Sequence, residues 1–444
     1  MTAYQLQQRC GFPVDVTLYE AGGRLGGKVR TEQFRTAPVR YEAGAAELYD
    51  YSAVGEDPLR QLVERLGLDV RPMRGASILL RGEVLDDLDD VARAYGADTR
   101  RALQAFDEHA KAWMSPQEYY DADWHDRLTD PLHGRTFEDE LQQVPDVTAR
   151  ELLRTMVHSD LATEPHKTSA SYGLQNYLMN DDRYMRLYGI EGGVERLVQE
   201  LADGIHARIL LRDAVRRVES LSDGSLRVIS ANRAEDYDFV VLALPNHYLP
   251  TLQFSDDAVR EAVRRHYIRY DYPAHYLRVS VLFQRVYWQD VLKDSYFMLD
   301  AFGGCCLYDE SSRNGAKEYG VLGWLLAGDA ATTAANLSDE ELVEQVLQSL
   351  PASLRHGREL FLEARVHRWL GSVNGMPGGA VAESMDDRHM PAATQRNLFT
   401  VGDYLFDSTL NGVLDSADWV AETLVERLQA DFRAVPPAPV VALV

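Results

Sequence analysis

The chain has 444 residues, and its 46 basic and 69 acidic side chains give a formal net charge of −23. A negative charge of this size disfavours nucleic acids and anionic membranes, so we predict neither as a partner. The hydrophobic content of 45% and the charged content of 26% exclude a disordered chain and predict a globular protein. At about 150 residues per domain, the length predicts two or three domains.

Cysteines and histidines give no sign of a disulfide framework or a metal site. Cys10, Cys305 and Cys306 are too few and too odd in number for such a framework. The 12 histidines are scattered without metal-ligand spacing, so we predict no metal. No apolar run approaches the length of about 18 residues that a membrane helix needs, and the first residues do not resemble a signal peptide. We therefore predict a cytoplasmic protein that binds a small molecule and leave its oligomeric state open.

The first predicted elements are a helix, a strand and a glycine-rich turn. Good helix formers at Thr2–Arg9 precede Cys10 and Gly11, and glycine commonly ends a helix. Residues 14–20 are mostly β-branched or apolar and end in Glu20, which predicts a strand. Residues 21–28 contain four glycines, a density that indicates positive φ angles or a close approach of the backbone to another group.

Helices and strands alternate along the rest of the chain. The predicted strands cover residues 77–80, 208–211, 215–219, 226–230, 238–244, 277–283, 321–326 and 397–401. The predicted helices cover residues 59–66, 192–205, 339–350 and 412–432, and residues 100–190 are mainly helical. Residues 434–444 contain three prolines, and we predict a flexible tail there.

A strand that ends in an acid before a glycine-rich turn is typical of the second half of a dinucleotide-binding βαβ unit. The acid accepts hydrogen bonds from a ribose 2′-hydroxyl, and the glycines let the backbone approach a diphosphate. Glu20 and the turn after it fit this pattern. A single glutamate at a strand end is also common in solvated loops, so the pattern needs support from elsewhere in the chain.

Residues 19–31, YEAGGRLGGKVRT, resemble the signature of the FAD-dependent amine oxidase and phytoene desaturase superfamily. Further pieces resemble the same superfamily in the same order along the chain. They are residues 41–47 (YEAGAAE), residues 191–194 (EGGV), Val215 with residues 243–245 (ALP), and residues 399–403 (FTVGD) followed by residues 411–413 (NGV) and a helix.

The resemblance implies an α/β fold, with a Rossmann-like FAD-binding domain built from discontinuous segments and an α+β substrate domain. We place the FAD-binding domain at residues 1–75, 186–250 and 365–433, and the substrate domain at residues 76–185 and 251–364. The residues that the resemblance implies for cofactor binding are Glu20, Ala21, Arg24, Gly26, Gly27, Lys28, Gly44, Ala45, Ala46, Glu47, Val215, Gly402, Asp403, Leu410, Gly412 and Val413. No cysteine lies between residues 370 and 380, so we predict that FAD is bound non-covalently.

The sequence departs from the superfamily at the Gly-x-Gly-x-x-Gly loop and the strand before it, which are absent. That strand is central to the sheet, and its absence would leave buried backbone groups of two neighbours unpaired, which is costly. One hypothesis is therefore that the chain is N-terminally truncated and that its true start lies upstream. The competing hypothesis is a protein that has lost its cofactor and survives as a binding module.

The candidate catalytic residues also depart from the superfamily. Many amine oxidases hold a water against flavin N5 with a lysine, and Arg278 is the residue at the corresponding place. Arginine cannot act as a base, but it binds water or a substrate carboxylate; a surface salt bridge is the alternative. Thr409 lies where monoamine oxidases have an aromatic residue beside the substrate nitrogen. Trp369, Tyr404 and Phe406 are the nearby aromatic candidates for contacting substrate, although such rings commonly pack in cores.

These observations predict an FAD-dependent oxidoreductase that moves a hydride from a substrate carbon to flavin N5. The first substrate class is an amine or an amino acid. A C–C desaturase or isomerase reaction of the same superfamily is the first alternative, because the lysine and the aromatic cage are missing. A flavin-free binding protein is the second alternative.

Overall fold

A computed structural model describes residues 1–75, 77–121, 132–311, 318–381, 383–431 and 438–444. The chain forms two compact units, one made of Met1–Gly27, Leu197–Tyr272 and Met376–Val444, and the other of Lys28–Arg196 and Pro273–Gly375. Residues 28–75, which we assigned to the cofactor domain, thus lie in the second unit. The assignment of a cofactor domain and a substrate domain stays a prediction.

Helices occur in both units. In chain order and within the described residues, they are α1 (Thr2–Arg9), α2 (Pro58–Arg65), α3 (Leu88–Tyr95), α4 (Ala97–Trp113), α5 (Pro116–Asp121), α6 (Phe137–Leu141), α7 (Val147–Leu161), α8 (Ala170–Leu178), α9 (Glu195–Asp203), α10 (Asp257–Arg269), α11 (Gly328–Ala334), α12 (Asp339–Ser349), α13 (Met385–His389) and α14 (Leu410–Asp431).

Strands are shorter and more numerous. Over the same described ranges they are β1 (Asp15–Glu20), β2 (Thr31–Gln33), β3 (Arg40–Glu42), β4 (Leu48–Asp50), β5 (Val70–Met73), β6 (Ile78–Leu80), β7 (Glu83–Leu85), β8 (Arg186–Ile190), β9 (Ala207–Leu211), β10 (Val215–Ser220), β11 (Leu226–Ser230), β12 (Ala234–Tyr237), β13 (Phe239–Leu242), β14 (Gln253–Phe254), β15 (Pro273–Phe283), β16 (Tyr296–Leu299), β17 (Cys305–Asp309), β18 (Gly320–Ala327), β19 (Phe361–Asn374), β20 (Leu398–Thr400) and β21 (Val440–Leu443).

The first unit is built on a parallel sheet with the strand order β20-β13-β21-β1-β9. Its central strands β13 and β21 consist of apolar residues that are almost all buried, as expected for parallel strands covered by helices. Leu6 of α1 and Leu424 of α14 are buried in the same core cluster as Val241 of β13. The predicted α/β class with a Rossmann-like parallel sheet is therefore confirmed.

The centre of this sheet corrects two expectations from the sequence. Val440–Leu443 is not a flexible tail but a strand, β21, which pairs in parallel with β1 on one side and β13 on the other. The slot that we expected to be empty is thus filled, and the backbone groups of β1 and β13 are paired. The short apolar run VVAL suits a strand buried on both faces, and the prolines before it end at Pro439, whose carbonyl accepts from the Asp15 N–H at 3.0 Å. Residues 434–437 of the predicted tail lie outside the described residues.

The second unit is built on a mixed sheet with the strand order β19-β15-β18-β17-β16-β6-β7. Long antiparallel pairs of β15 with β18 and β19 form its middle. One face packs against α12, and the other carries α7 with the helical core around Leu152 and Val157. This is a sheet with helices segregated onto its faces, which is the α+β arrangement.

No helix in the described part of the chain is both long enough and apolar enough to cross a membrane.

Candidate functional site

Motif residues of the first unit meet at one edge of its parallel sheet. Strand β1 ends at Glu20, and β20 ends at Thr400 just before Gly402 and Asp403. Because the strands are parallel, both ends lie at the carboxyl edge of the sheet. In open α/β sheets this edge is where ligands bind.

The turn after β1 is shaped by its own side chains. The Gly22 N–H donates to Glu20 Oε1 at 2.5 Å, so one carboxylate oxygen holds the turn. Gly26 and Gly27 have φ angles of 103° and 51°, which glycine adopts without strain. The Arg24 guanidinium donates to the carbonyls of Leu25 and Gly27. Arg24 therefore folds back over the turn, while Ala21 is exposed beside Glu20.

Arg212 is a residue of this edge that the sequence reasoning missed. It follows β9, has a φ of 56°, and its N–H donates to the Gly22 carbonyl at 2.8 Å. A β-carbon at Gly23 would lie 3.3 Å from its guanidinium. Arg212 thus adds a second cation beside Arg24 at the glycine turn. The signal in the sequence is weak, since an arginine between two strands is ordinary on a surface.

The start of α14 is held by Thr409, which we predicted as a catalytic residue. Its hydroxyl accepts from the Gly412 N–H at 3.2 Å and donates to Asp407 Oδ2 at 3.0 Å. A β-carbon at Gly412 would lie 2.3 Å from the Asp407 carbonyl oxygen, so this position requires glycine. The Thr409 hydroxyl therefore caps the helix, and its catalytic role stays a prediction.

Two further polar side chains, Asn411 and Asp407, lie at the start of α14. Asn411 Oδ1 is buried and has no hydrogen-bond partner within the described residues. Burial raises the pKa of the Asp407 carboxyl to about 6. Leu410 and Val413 belong to the first turn of α14, where the helix dipole favours negative charge. A ligand with both hydrogen-bonding and electron-rich groups would satisfy this end of the helix.

The glycine and aspartate after β20 are tied to α14. The Gly402 N–H donates to Ser416 Oγ at 3.1 Å, and the Asp403 side chain is buried. This bond fixes the direction in which the chain leaves the sheet and turns towards Leu410.

Two aromatic residues of the first unit, Tyr404 and Phe406, pack against other rings of that unit, and their contact with substrate stays a prediction. Tyr404 is 3% exposed, and its hydroxyl lies 3.3 Å from His266 Nε2 with the Tyr270 ring packed beside it. Phe406 packs against His389 and under the Arg388 guanidinium. Both rings are engaged in core packing, so their packing does not support a substrate role.

The second unit holds the motif residues that follow the glycine turn. A β-carbon at Gly44 would lie 1.9 Å from the Lys28 carbonyl oxygen, and the Ala45 N–H donates to that oxygen at 3.0 Å. The Lys28 ammonium donates to the Ser372 carbonyl at 2.7 Å. The strand-turn around Gly44 and Ala46 is therefore packed directly on the chain at Lys28.

Glu42 is a second residue that the sequence reasoning did not single out. Its buried carboxylate accepts from the Val194 N–H at 2.9 Å and from the Thr31 hydroxyl at 2.8 Å. A β-carbon at Gly193 would lie 2.3 Å from Thr31 Cγ2. The second glycine pair is thus required for packing against β2. The signal in the sequence that could have identified Glu42 is its position directly before a turn of small residues.

Arg278 lies in the middle of the mixed sheet and not at its surface. Its guanidinium forms an ion pair with Glu310, and each residue is 1% exposed. Arg278 also lies over the Tyr308 ring, 4.9 Å from the ring centre. The reading of Arg278 as a surface salt bridge is therefore wrong, and its catalytic role stays a prediction. Trp369 donates from its indole N–H to the Ala43 carbonyl at 2.6 Å, which fixes that ring within the unit.

The residues present suit the adenosine and flavin ends of an FAD molecule better than the diphosphate between them. Glu20 has a carboxylate oxygen left for a ribose, and α14 offers a helix start with the unpartnered Asn411 Oδ1. Val215 opens β10 and is half-buried beside Ser230. No Gly-x-Gly-x-x-Gly loop for the diphosphate occurs anywhere in the sequence.

A family model described as flavin-containing amine oxidoreductase matches residues 1–425. The structure of a putrescine oxidase bound to putrescine is 15% identical, with 96% of each chain covered and a TM-score of 0.75. Cyclohexylamine oxidase from Brevibacterium oxydans IH-35A is 18% identical, again with 96% of each chain covered and a TM-score of 0.72. A candidate protoporphyrinogen oxidase from Exiguobacterium sp. 255-15 is 18% identical over 96% of each chain, with a TM-score of 0.67. At these identities the structures show a common fold.

Proposed function

Since the chain belongs to the family of flavin-containing amine oxidoreductases, we propose that it oxidises a C–N bond of a small amine or amino acid. Membership of the family confirms the resemblance drawn from the ordered motifs. It also confirms a flavin-dependent oxidoreductase with FAD as its cofactor.

The observation that carries the proposal is the family match over residues 1–425, joined to the carboxyl-edge placement of Glu20 and Asp403. Putrescine oxidase and cyclohexylamine oxidase, which share the fold, are named for amine substrates. The net charge of −23 adds weak support, because a negative protein attracts cationic ligands.

The residues of the chain have binding and positioning roles in this proposal. Glu20 would hold the adenosine ribose, and the start of α14 would offer its N–H groups to the electron-rich flavin. FAD, when bound, supplies the chemistry by accepting a hydride from the substrate carbon. The protein orients the substrate and excludes water, so no nucleophilic side chain is required.

We expect the purified holoenzyme to release hydrogen peroxide with at least one compound from a panel of primary amines and amino acids under air. Ammonia should form in equal amount, because hydrolysis of the oxidised C–N bond frees the nitrogen. The measurement is a coupled peroxide assay beside an ammonia assay, with flavin-stripped protein as the control. If anaerobic mixing with every amine leaves the flavin absorption unchanged, the amine proposal is wrong.

A second candidate function is C–C desaturation of a larger substrate. Residues 376–378, Met-Pro-Gly, and Thr409 occupy the places where monoamine oxidases carry aromatic rings, and Thr409 is a helix cap here. A neighbour described as a candidate protoporphyrinogen oxidase shares the fold. Reduction of the flavin by a hydrocarbon substrate without release of ammonia would select this function.

Replacing Glu20 by alanine should weaken FAD binding by about ten- to a hundredfold. A hydrogen bond to a charged group contributes about 1.5–3 kcal/mol, and the ribose hydroxyls would lose this acceptor. FAD affinity is measured by fluorescence titration of the flavin-stripped protein. Asp15→Ala is the matched control, because Asp15 is exposed at the opposite end of the same strand. Equal affinities in the two variants would show that Glu20 does not contact the cofactor.

A further inference from the structure

A small cavity within the second unit is lined by carboxylates and aromatic rings. Strand register explains its composition, since Tyr296 and Met298 alternate on β16 while their cross-strand partners Tyr308 and Cys306 alternate on β17. Asp160, at the end of α7, and Glu47 complete the lining. The free volume is about 20 Å³, which is the room of one water-sized group. We call this space the acidic cavity.

The acidic cavity has negative charge that the described residues do not neutralise. Tyr308 donates its hydroxyl hydrogen to Glu47 Oε1 at 2.9 Å, but Glu47 Oε2 is inaccessible to solvent and has no hydrogen-bond partner in the described chain. The nearby Arg278 guanidinium is ion-paired with Glu310 and also feels the charge of Glu47, so these two carboxylates share one buried cation. A buried carboxylate oxygen without a donor is costly, and a cationic donor would remove that cost.

Asp160 is the second carboxylate that faces the cavity. Asn180 donates to it at 3.3 Å. Burial, together with the nearby charge of Glu47, raises the pKa of the Asp160 carboxyl to about 8. Asp160 is therefore largely neutral at pH 7 in the free protein and is ready to lose its proton when a positive charge arrives.

We propose that the acidic cavity binds the ammonium group of an amine, with Glu47 and Asp160 as charge partners and the Tyr296 and Tyr308 rings around it. This inference rests on the proposed function and identifies the part of the chain that recognises the charge of the substrate. Under this inference Glu47 contacts the substrate, whereas the family resemblance implies a contact with the cofactor. An ammonium group matches the cavity in size and carries three donors, and aromatic faces attract such a cation.

The test is the binding of methylammonium chloride to the holoenzyme at fixed ionic strength, measured by calorimetry with sodium chloride as the ion control. We expect saturable binding by the unaltered protein. Glu47→Gln should weaken it by about tenfold or more, while Glu47→Asp, which keeps the charge, should retain part of it. Glu344→Gln is the matched control, because Glu344 is an exposed glutamate of the same unit. The visible spectrum and melting temperature of each variant show that flavin and fold are retained.

The pH dependence of this binding is a second readout. Binding of a cation favours ionised Asp160, so it releases a proton, and affinity should rise between about pH 6 and about pH 9. The groups that face Asp160 from the surrounding elements are Glu47, Tyr276, Tyr296, Cys306, Tyr308 and the Asn180 amide. Burial raises the pKa of each of these tyrosines and of the Cys306 thiol, so they do not titrate in this range. In Asp160→Asn the rise in affinity should disappear.

The outcomes separate this inference from the proposed function. Absence of methylammonium binding, or equal affinity in the unaltered protein and Glu47→Gln, would overturn the inference and indicate that the cavity holds water only. Amine oxidation with a KM that Glu47→Gln leaves unchanged would also overturn the inference, yet it would leave the proposed function intact. Binding that depends on Glu47 in a protein that oxidises no amine would support the inference and reject the function.

Discussion

The Val441→Asp variant is expected to lose more than about 4 kcal/mol of stability and to accumulate as unfolded or aggregated protein. Val441 is fully buried on β21, between β1 and β13. An aspartate there would place an unpaired charge in the middle of a parallel sheet, and such burial is among the few single changes with effects this large. Far-UV circular dichroism during urea unfolding measures the loss.

Two companion variants make this expectation decisive. Val441→Ala keeps the strand but removes two methyl groups from the core, so it should fold with a loss of about 2 kcal/mol. Val440→Thr alters a half-buried neighbour on the same strand and should cost less than about 1 kcal/mol. Stability of Val441→Asp equal to that of Val440→Thr would mean that the sheet does not depend on β21.

The contrast between α1 and β21 shows what the sequence could predict. Helix Thr2–Arg9 and the first strand follow from local propensity and from the glycine after the helix, and both were placed within a residue of their observed bounds. The run VVAL in β21 carries an equally plain apolar pattern. The sequence nevertheless predicted a flexible tail there, because three prolines lie nearby and the run is at the end of the chain. These two features outweighed the apolar pattern, which is typical of a buried strand.

In the candidate site, too, local features could be predicted from the sequence, whereas contacts between distant segments could not. Local motifs are the basis of the predicted cofactor contacts, because a strand-end acid or a glycine turn is a short-range signal. The helix-capping bond between Thr409 and Gly412 could not be predicted, because it depends on how the loop closes. The pairing of Arg278 with Glu310, and the grouping of Glu47 with Asp160, depend on strand register between distant segments. Such register is decided by the packed sheet and not by the residues beside each position.

Breaking the Arg278–Glu310 pair from either side is expected to cost about 3–5 kcal/mol, because each single change removes the ion-pair partner of a buried charge. The two side chains are each 1% exposed, and Glu310 Oε2 also accepts from the Glu42 N–H at 3.0 Å. Burial opposes the charge of Arg278, but the carboxylate of Glu310 keeps its pKa above the ordinary value. Arg278 therefore stays charged across the working pH range and cannot escape the cost by neutralising.

The experiment is a double-mutant cycle of Arg278→Met, Glu310→Gln and the two together, followed by urea unfolding and turnover. The double variant should be more stable than the sum of the single losses predicts, because no lone charge remains. Arg358→Met is the control, since the Arg358–Glu344 pair is exposed and should contribute less than about 1 kcal/mol. Additive losses would show that the pair is not coupled. If the double variant regains stability but not turnover, Arg278 has a role at the substrate beyond holding the sheet; if turnover returns with stability, its role is structural.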